Sequence, residues 1–266
     1  VVGGAIGWRR LPPLVAVALV VVVMAPGVSR AEQERSGDLV MSLRGEFSPL
    51  RLPRHRAAPA SVTLASHLKT VDGAPVAPVR RIEVSFARAA SLSPADFPAC
   101  PRARLRNATA AQARRRCPGA VVGRGRLALE LRFAGELPLR REAHALVLNG
   151  RRRGGRAALW MHVFVAQPPV SFVLPFAVRR TSGGFPTVLA APLPRAIAKS
   201  MRVRGFAVTL GRRYRRQGRL RSYVEASCPV PRPFTAGFLP VARVTFGFPG
   251  ARSLSDTIVR SCRARG

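Results

Sequence analysis

The chain carries little with which to do chemistry. Of its 266 residues only 12 are Asp or Glu, 4 are His and 4 are Cys. No G-x-S-x-G elbow, H-E-x-x-H helix, P-loop or G-x-G-x-x-G turn occurs. A glycosidase needs two facing carboxylates. Here Glu32, Glu34 and Asp38 crowd together, and spacing singles out no pair among the rest. His55, His67, His144 and His162 are scattered; Glu142 and His144, two apart on one strand face, are a minimal acid–base or metal signal. The cysteines include no close C-x-x-C knuckle, which argues against zinc. Sustained helical periodicity is missing too, which argues against a βαβ fold, and there is no strong internal repeat. The expectation is a protein without catalysis, cofactor or metal.

Positive charge is plentiful. Lys and Arg number 45, the formal net charge is +33, and all but two of the basic residues are arginine. With abundant Ala, Gly and Pro, that ratio resembles coding from a high-GC genome, so a given arginine need not have been placed for a task. A chain this basic still attracts polyanions. At a cell surface these would be teichoic acids, acidic polysaccharide, extracellular DNA or anionic lipid head groups.

Residues 1–31 have the three-part layout of a secretory signal peptide. Arg9-Arg10 precedes an apolar run from Leu14 to Met24, Pro26-Gly27 breaks it, and Ser29-Arg30-Ala31 offers a cut after Ala31. The run is short for a membrane span; an uncleaved anchor is the alternative. Export implies an oxidising compartment, where Cys100, Cys117, Cys228 and Cys262 would form disulfides. Three pairings are possible, the sequential one being simplest, and each bridge would stabilise by about 3–4 kcal/mol.

The most apolar stretch of the mature chain, 157–178, is long enough to cross a bilayer. His162, Gln167, Pro168-Pro169 and Pro175 lie inside it, however, and adjacent prolines remove backbone donors that nothing replaces in lipid. Split at Gln167-Pro168-Pro169 it gives two strands, 157–166 and 170–179, rich in Val, Phe and Trp. These should be buried on both faces, with His162 buried and hydrogen-bonded.

Alternation predicts further strands. In 61–69, Val62, Leu64 and Leu68 oppose Thr63, His67 and Lys69. In 79–88, Ile82, Val84 and Phe86 share a face, and in 127–134 Leu127, Leu129, Leu131 and Phe133 do. Shorter strands are expected at 37–46, 120–122, 143–149, 185–193 and 243–248. In 201–211 the apolar phase shifts across Gly205, which suggests a β-bulge; 220–227 is read as pairing back onto it. Residues 32–37 read as loose, and the chain as finishing in a basic tail after Cys262. Cys100 and Cys117 bracket an irregular insertion around 93–116. Ser93-Pro94-Ala95-Asp96 predicts a helical turn, and Thr109 with Gln112 a capping box for a helix reaching Arg116. The fold class is all-β, an antiparallel β-sandwich of jelly-roll type. Its organisation is a signal peptide (1–31), an N-terminal strand and Pro/Arg-rich connector (32–60) and one domain (61–266).

The basic turns are the best candidates for a site. Arg212, Arg213, Tyr214, Arg215 and Arg216 read as a hairpin tip whose guanidiniums match phosphate or carboxylate oxygens, with Tyr214 free to stack on a sugar or base. Arg151, Arg152 and Arg153 form a second tip and Arg114–Arg116 a third. They make a surface only if the fold brings them together.

Several short pieces resemble a family. They are Thr70-Val71-Asp72-Gly73 ahead of Pro78, Phe97-Pro98-Ala99-Cys100 and Ala120-Val121-Val122-Gly123-Arg124-Gly125. Leu148-Asn149-Gly150, Ser222-Tyr223 before Ser227-Cys228-Pro229, and Cys262-Arg263 belong with them. In these the chain is similar to exported β-sandwich proteins of high-GC actinobacteria that have no established activity. The resemblance implies an exported sandwich with two disulfides and supplies no catalytic residue. The expected function is a non-catalytic structural or binding role at the envelope or outside the cell, the alternative being a polyanion-binding module that uses the arginine-rich tips.

Overall fold

The structure, a computed structural model, describes residues 32–216 and 218–265; the leader reading lies outside the described residues. The first six strands are β1 (Glu32–Ser36), β2 (Leu39–Ser48), β3 (Arg51–Pro53), β4 (Ala58–Thr70), β5 (Arg81–Phe86) and β6 (Ala90–Leu92). After a helix, α1 (Ala110–Arg116), come β7 (Val121–Leu131), β8 (Leu139–Arg151), β9 (Ala157–Val165), β10 (Val170–Arg180) and β11 (Thr187–Pro192). The second helix, α2 (Arg195–Ser200), leads to β12 (Met201–Leu210), β13 (Arg213–Arg216), β14 (Arg219–Ser222), β15 (Val224–Ala226), β16 (Ala236–Gly247) and β17 (Ser253–Arg265).

The class is all-β, as the alternation predicts. One continuous sheet runs β1-β2-β4-β12-β7-β8-β9-β10-β11-β5-β16-β17-β3, antiparallel except where β3 joins β17. It curls round a single core because successive strands turn one apolar face inward, as Val62, Leu64 and Leu68 do on β4 and Leu127 and Leu129 on β7. The curl brings β17 beside β1 and β2, where side chains take the place of a ladder. Arg260 Nε donates to Gly45 O at 2.6 Å and its Nη1 to Glu32 Oε1 at 3.2 Å, while Ile258 fills the space over Gly45.

Both disulfides pair sequentially, Cys100–Cys117 and Cys228–Cys262. The first closes the insertion, which lies on the outer face of β8 and β9 over a small core of its own built from Leu105, Ala108, Ala113, Leu146, Leu148 and Trp160. Polar groups of the sheet hold it there. Asn149 Nδ2 donates to the carbonyls of Pro94, Phe97 and Pro98, and Trp160 Nε1 to Cys100 O at 2.8 Å. A Cβ at Gly150 would sit 2.1 Å from that indole nitrogen, so only glycine lets the ring lie flat. Phe97 packs edge-on against Tyr214 and Tyr223. The short motifs around Phe97, Asn149 and Tyr223 therefore share one physical task, docking the insertion.

The 157–178 stretch is two strands, β9 and β10, paired as a hairpin around Gln167-Pro168. The expected burial on both faces holds for β9 but not for β10, where only Leu174 and Phe176 are buried, because the insertion covers the outer face of β8 and β9 and leaves most of β10 uncovered. Among the described residues no helix is long and apolar enough to cross a membrane. The bulge falls between Val203 and Gly205, and the capping box of Thr109 and Gln112 is formed. Four further readings are corrected. Residues 32–36 form β1, whose polar side chains give no alternation but whose backbone completes the edge of β2. The tail is β17; Asp256 and Arg260 interrupt its apolar positions. Phe133 lies beyond the end of β7 and is 43% exposed. Finally, 220–227 does not pair with β12. β14 pairs with β13, and β15 pairs with β4 and β6. β4 runs past the end of β12, so Ala58–Ala60 would have unmet backbone groups, and β15 supplies them.

Candidate functional site

Register decides where the arginine turns go. Leu210 of β12 lies opposite Gly123 of β7, Val121 opposite Leu148 of β8, and Arg151 opposite Ala157 of β9. The same end of the sheet holds Ser48 and Ser61, Arg180 opposite Thr187, Phe86 opposite Ala242, and Ala236 opposite Arg263. Onto this one end therefore project the turns bearing Arg51, Arg54 and Arg56, Arg151–Arg156, Arg179-Arg180 and Arg212–Arg216, together with Arg232, Arg263 and Arg265. Asp96 and Glu225 lie there too, Glu225 paired with Arg221. The opposite end mixes signs: Asp38, Asp72 and Glu136 alternate with Arg80, Arg132, Lys199 and Arg252. A compositional bias toward arginine accounts for the total charge but not for this segregation.

A groove descends the outer face from the basic end, as two adjoining depressions of about 620 and 380 Å³ that share Arg114, Arg124, Leu146 and Thr209. Its floor is β4, β12 and β7, where register aligns small outward residues: Thr63 beside Thr209, and Ala65 beside Ala207. The Thr63 and Thr209 hydroxyls are 2.9 Å apart. At Gly125 a Cβ would stand 2.1 Å from Ala207 O, so bare backbone brings β7 close against β12. The helix α1 forms one wall and projects Arg114, and Arg124 and Arg126 rise from β7. Arg212 closes the upper rim, its Nη1 bonded to Pro118 O at 2.6 Å and Val121 O at 3.2 Å. Arg126 meets Glu142 at 3.1 Å, and Glu46 stands beside Thr63, so the groove's edges carry two carboxylates. Among the described residues the guanidiniums of Arg114 and Arg124 have no partner, and both are exposed. Two free planar forks above a floor of hydroxyls can bind phosphate or carboxylate oxygens bidentately.

Of the residues singled out from sequence, Arg114 and Arg212 line this groove, while Arg115 is exposed and Arg116 donates to the carbonyls of Arg104 and Arg106. Arg213 and Arg215 are exposed on the hairpin beyond it, and Arg216 is the last residue of β13. Tyr214 is half-buried with its ring centroid 4.8 Å from that of Phe97, so its face is committed to packing. Arg151 and Arg152 are exposed at the same end of the sheet, farther from the groove, and Arg153 opens the turn between β8 and β9. Arg124 and Arg126 were missed. Their signal was the alternation Gly123-Arg124-Gly125-Arg126, where glycine takes the inward positions and arginine the outward ones.

The histidines do not gather. His55 and His67 are exposed on different strands or turns, and His144 lies in the groove beside Arg126. Glu142, its neighbour on that face, is engaged by Arg126. His162 is fully buried with Nε2 2.9 Å from Ala108 O, under the insertion and away from any cleft. Among the described residues no group of three or more His, Cys, Asp or Glu is placed to hold a metal ion. The space inside the sheet, about 50 Å³ between side chains such as Leu64, Val147, Met161 and Phe206, is apolar. It falls well short of the roughly 300 Å³ of a small-molecule site. Comparison with protein-family models, curated proteins and solved structures finds no match to this chain.

Proposed function

We propose that this is an exported, non-catalytic binding protein of the cell envelope or extracellular space that holds an anionic polymer along its outer groove. The observation that supports it most directly is the pair of unpartnered guanidiniums, Arg114 and Arg124, over a floor of small and hydroxyl side chains below the arginine-rich end. Two disulfides fit an extracellular setting. The groove lining contains no Phe, Tyr or Trp, and its one ring is the imidazole of His144, so a polymer of sugar, polyol or bare phosphate units suits it better than one read by base stacking.

The test is affinity for inorganic polyphosphate across a salt series. Each phosphate contact releases counterion, so binding should weaken steeply as salt rises. The double variant Arg114→Ser/Arg124→Ser should lose about tenfold or more in affinity and flatten the salt slope, because two contacts are gone. Replacing Arg213 and Arg215 instead should act mainly at low salt, by removing long-range attraction. Unchanged affinity and slope in the groove variant would overturn the assignment.

A further inference from the structure

A second surface on the basic end is built differently from the groove, and a separate set of residues carries it. Three large apolar side chains stand out of the protein here: Phe238 is 80% exposed, Phe234 61% and Leu50 54%. They border the C-terminal end of β17 from two sides. Phe238 lies opposite Ser261 and Ala236 opposite Arg263 on one flank; Arg51 lies opposite Arg263 on the other, with Arg263 N bonded to Leu50 O at 2.9 Å. Thr235, next to Phe234, accepts from Ala264 N.

These tips are held rather than frayed. The loop bearing Phe234 is tied to β17 by Cys228–Cys262. Arg54 gathers three of its carbonyls, bonding Val230 O, Pro231 O and Phe234 O. At Gly237 a Cβ would stand 2.6 Å from Val230, so the loop lies directly on β16. Exposed phenylalanines on a pinned platform give up little conformational entropy on meeting a partner. The charges around them have one sign: Arg51, Arg232, Arg263 and Arg265 are exposed and, among the described residues, have no acceptor for their guanidiniums. The nearby carboxylate of Glu32 is held by Arg260 and the Val259 N–H.

We propose that this corner docks on an anionic lipid bilayer, with Phe234, Phe238 and Leu50 entering the interfacial layer and the surrounding arginines meeting lipid phosphates. Aromatic and aliphatic tips suit the acyl boundary, and each nearby cationic side chain adds attraction to a negative surface. A second copy of the chain is the poorer occupant, because a two-fold contact here would bring arginine against arginine.

Co-sedimentation of the full chain with vesicles of phosphatidylcholine, with and without phosphatidylglycerol, tests this. Binding should require the anionic lipid, and Phe234→Ser/Phe238→Ser should weaken it by about tenfold or more. The variant Phe238→Trp should gain emission, over the wild-type chain, that brominated lipid quenches. Both sites are exposed, so thermal unfolding should be unaltered. Binding equal on neutral vesicles, binding unchanged in the double serine variant, or unquenched emission from position 238 would each overturn the proposal. Concentration-dependent dimerisation abolished by Phe238→Ser would overturn it in favour of self-association. The groove variant Arg114→Ser/Arg124→Ser should keep vesicle binding, and the phenylalanine variant should keep polyphosphate affinity, so either reading can fail alone.

Discussion

His162 couples the stability of the docked insertion to pH. A carbonyl can only accept, so the Nε2 facing Ala108 O carries the proton, and Nδ1 is buried without a partner. Protonating Nδ1 would place a charge where nothing solvates it, and burial therefore holds the imidazole below its usual 6.5. The unfolded chain binds that proton near 6.5 and the folded chain only at lower pH. Stability is thus fully present above the unfolded value and declines as pH falls through it toward the folded one. His67, although exposed, is lowered in the same direction, by partial desolvation first and then by Arg204 and Lys69. Thermal unfolding followed from pH 8 to pH 5 should show the decline, at most about 1.4 kcal/mol per pH unit for one histidine. His162→Gln keeps a donor but does not titrate, and should remove its share of the slope while His67 keeps the rest. An acid slope unchanged in that variant would place the linkage elsewhere.

At the scale of elements, the insertion between β6 and β7 does two jobs, covering the outer face of β8 and β9 and walling the groove. Its helix has seven residues and buries only Ala113, too little to persist alone, so the capping box, the disulfide and the bonds from Asn149 and Trp160 hold it. Cys100→Ser/Cys117→Ser should cost about 3 kcal/mol in urea unfolding. It should also open the insertion to proteolysis, and lower polyphosphate affinity although every arginine remains, because Arg114 loses its fixed place. Retained affinity would show that the wall is not needed. The capping box was legible because its two hydrogen bonds are local, and the bulge at Gly205 because an apolar pattern must change phase there. β1 and β17 were not. Glu32–Ser36 has no apolar face, and Asp256 and Arg260 break the pattern of β17; their partners come from strands far along the chain.

For the whole molecule, the point of interest is how the sheet closes. Between β17 and the β1–β2 edge, the contacts include Arg260 to Gly45 O and Glu32, Val259 N to Glu32, and Ile258 over Gly45, with Arg252 bonded to Asp38 where the adjoining turns meet. A seam held by side chains opens more readily than paired strands. Hydrogen exchange should therefore be faster for amides of β1 and β17 facing the seam than for β7, β8 and β9, which are paired on both sides; equal protection would mean that the seam is as tight as the ladder. Sequence alone determined the all-β class, the inward faces of most strands, the splitting of 157–178 and the buried His162, since each follows from local periodicity or from proline's missing N–H. It also supplied the charge and the four cysteines. Only the tertiary structure decided that the arginine turns meet at one end, that Arg114 and Arg124 line one groove, and that Phe234 and Phe238 stand exposed beside Arg263. Those are matters of register and curl, and a strand's register is set by every partner in the sheet at once.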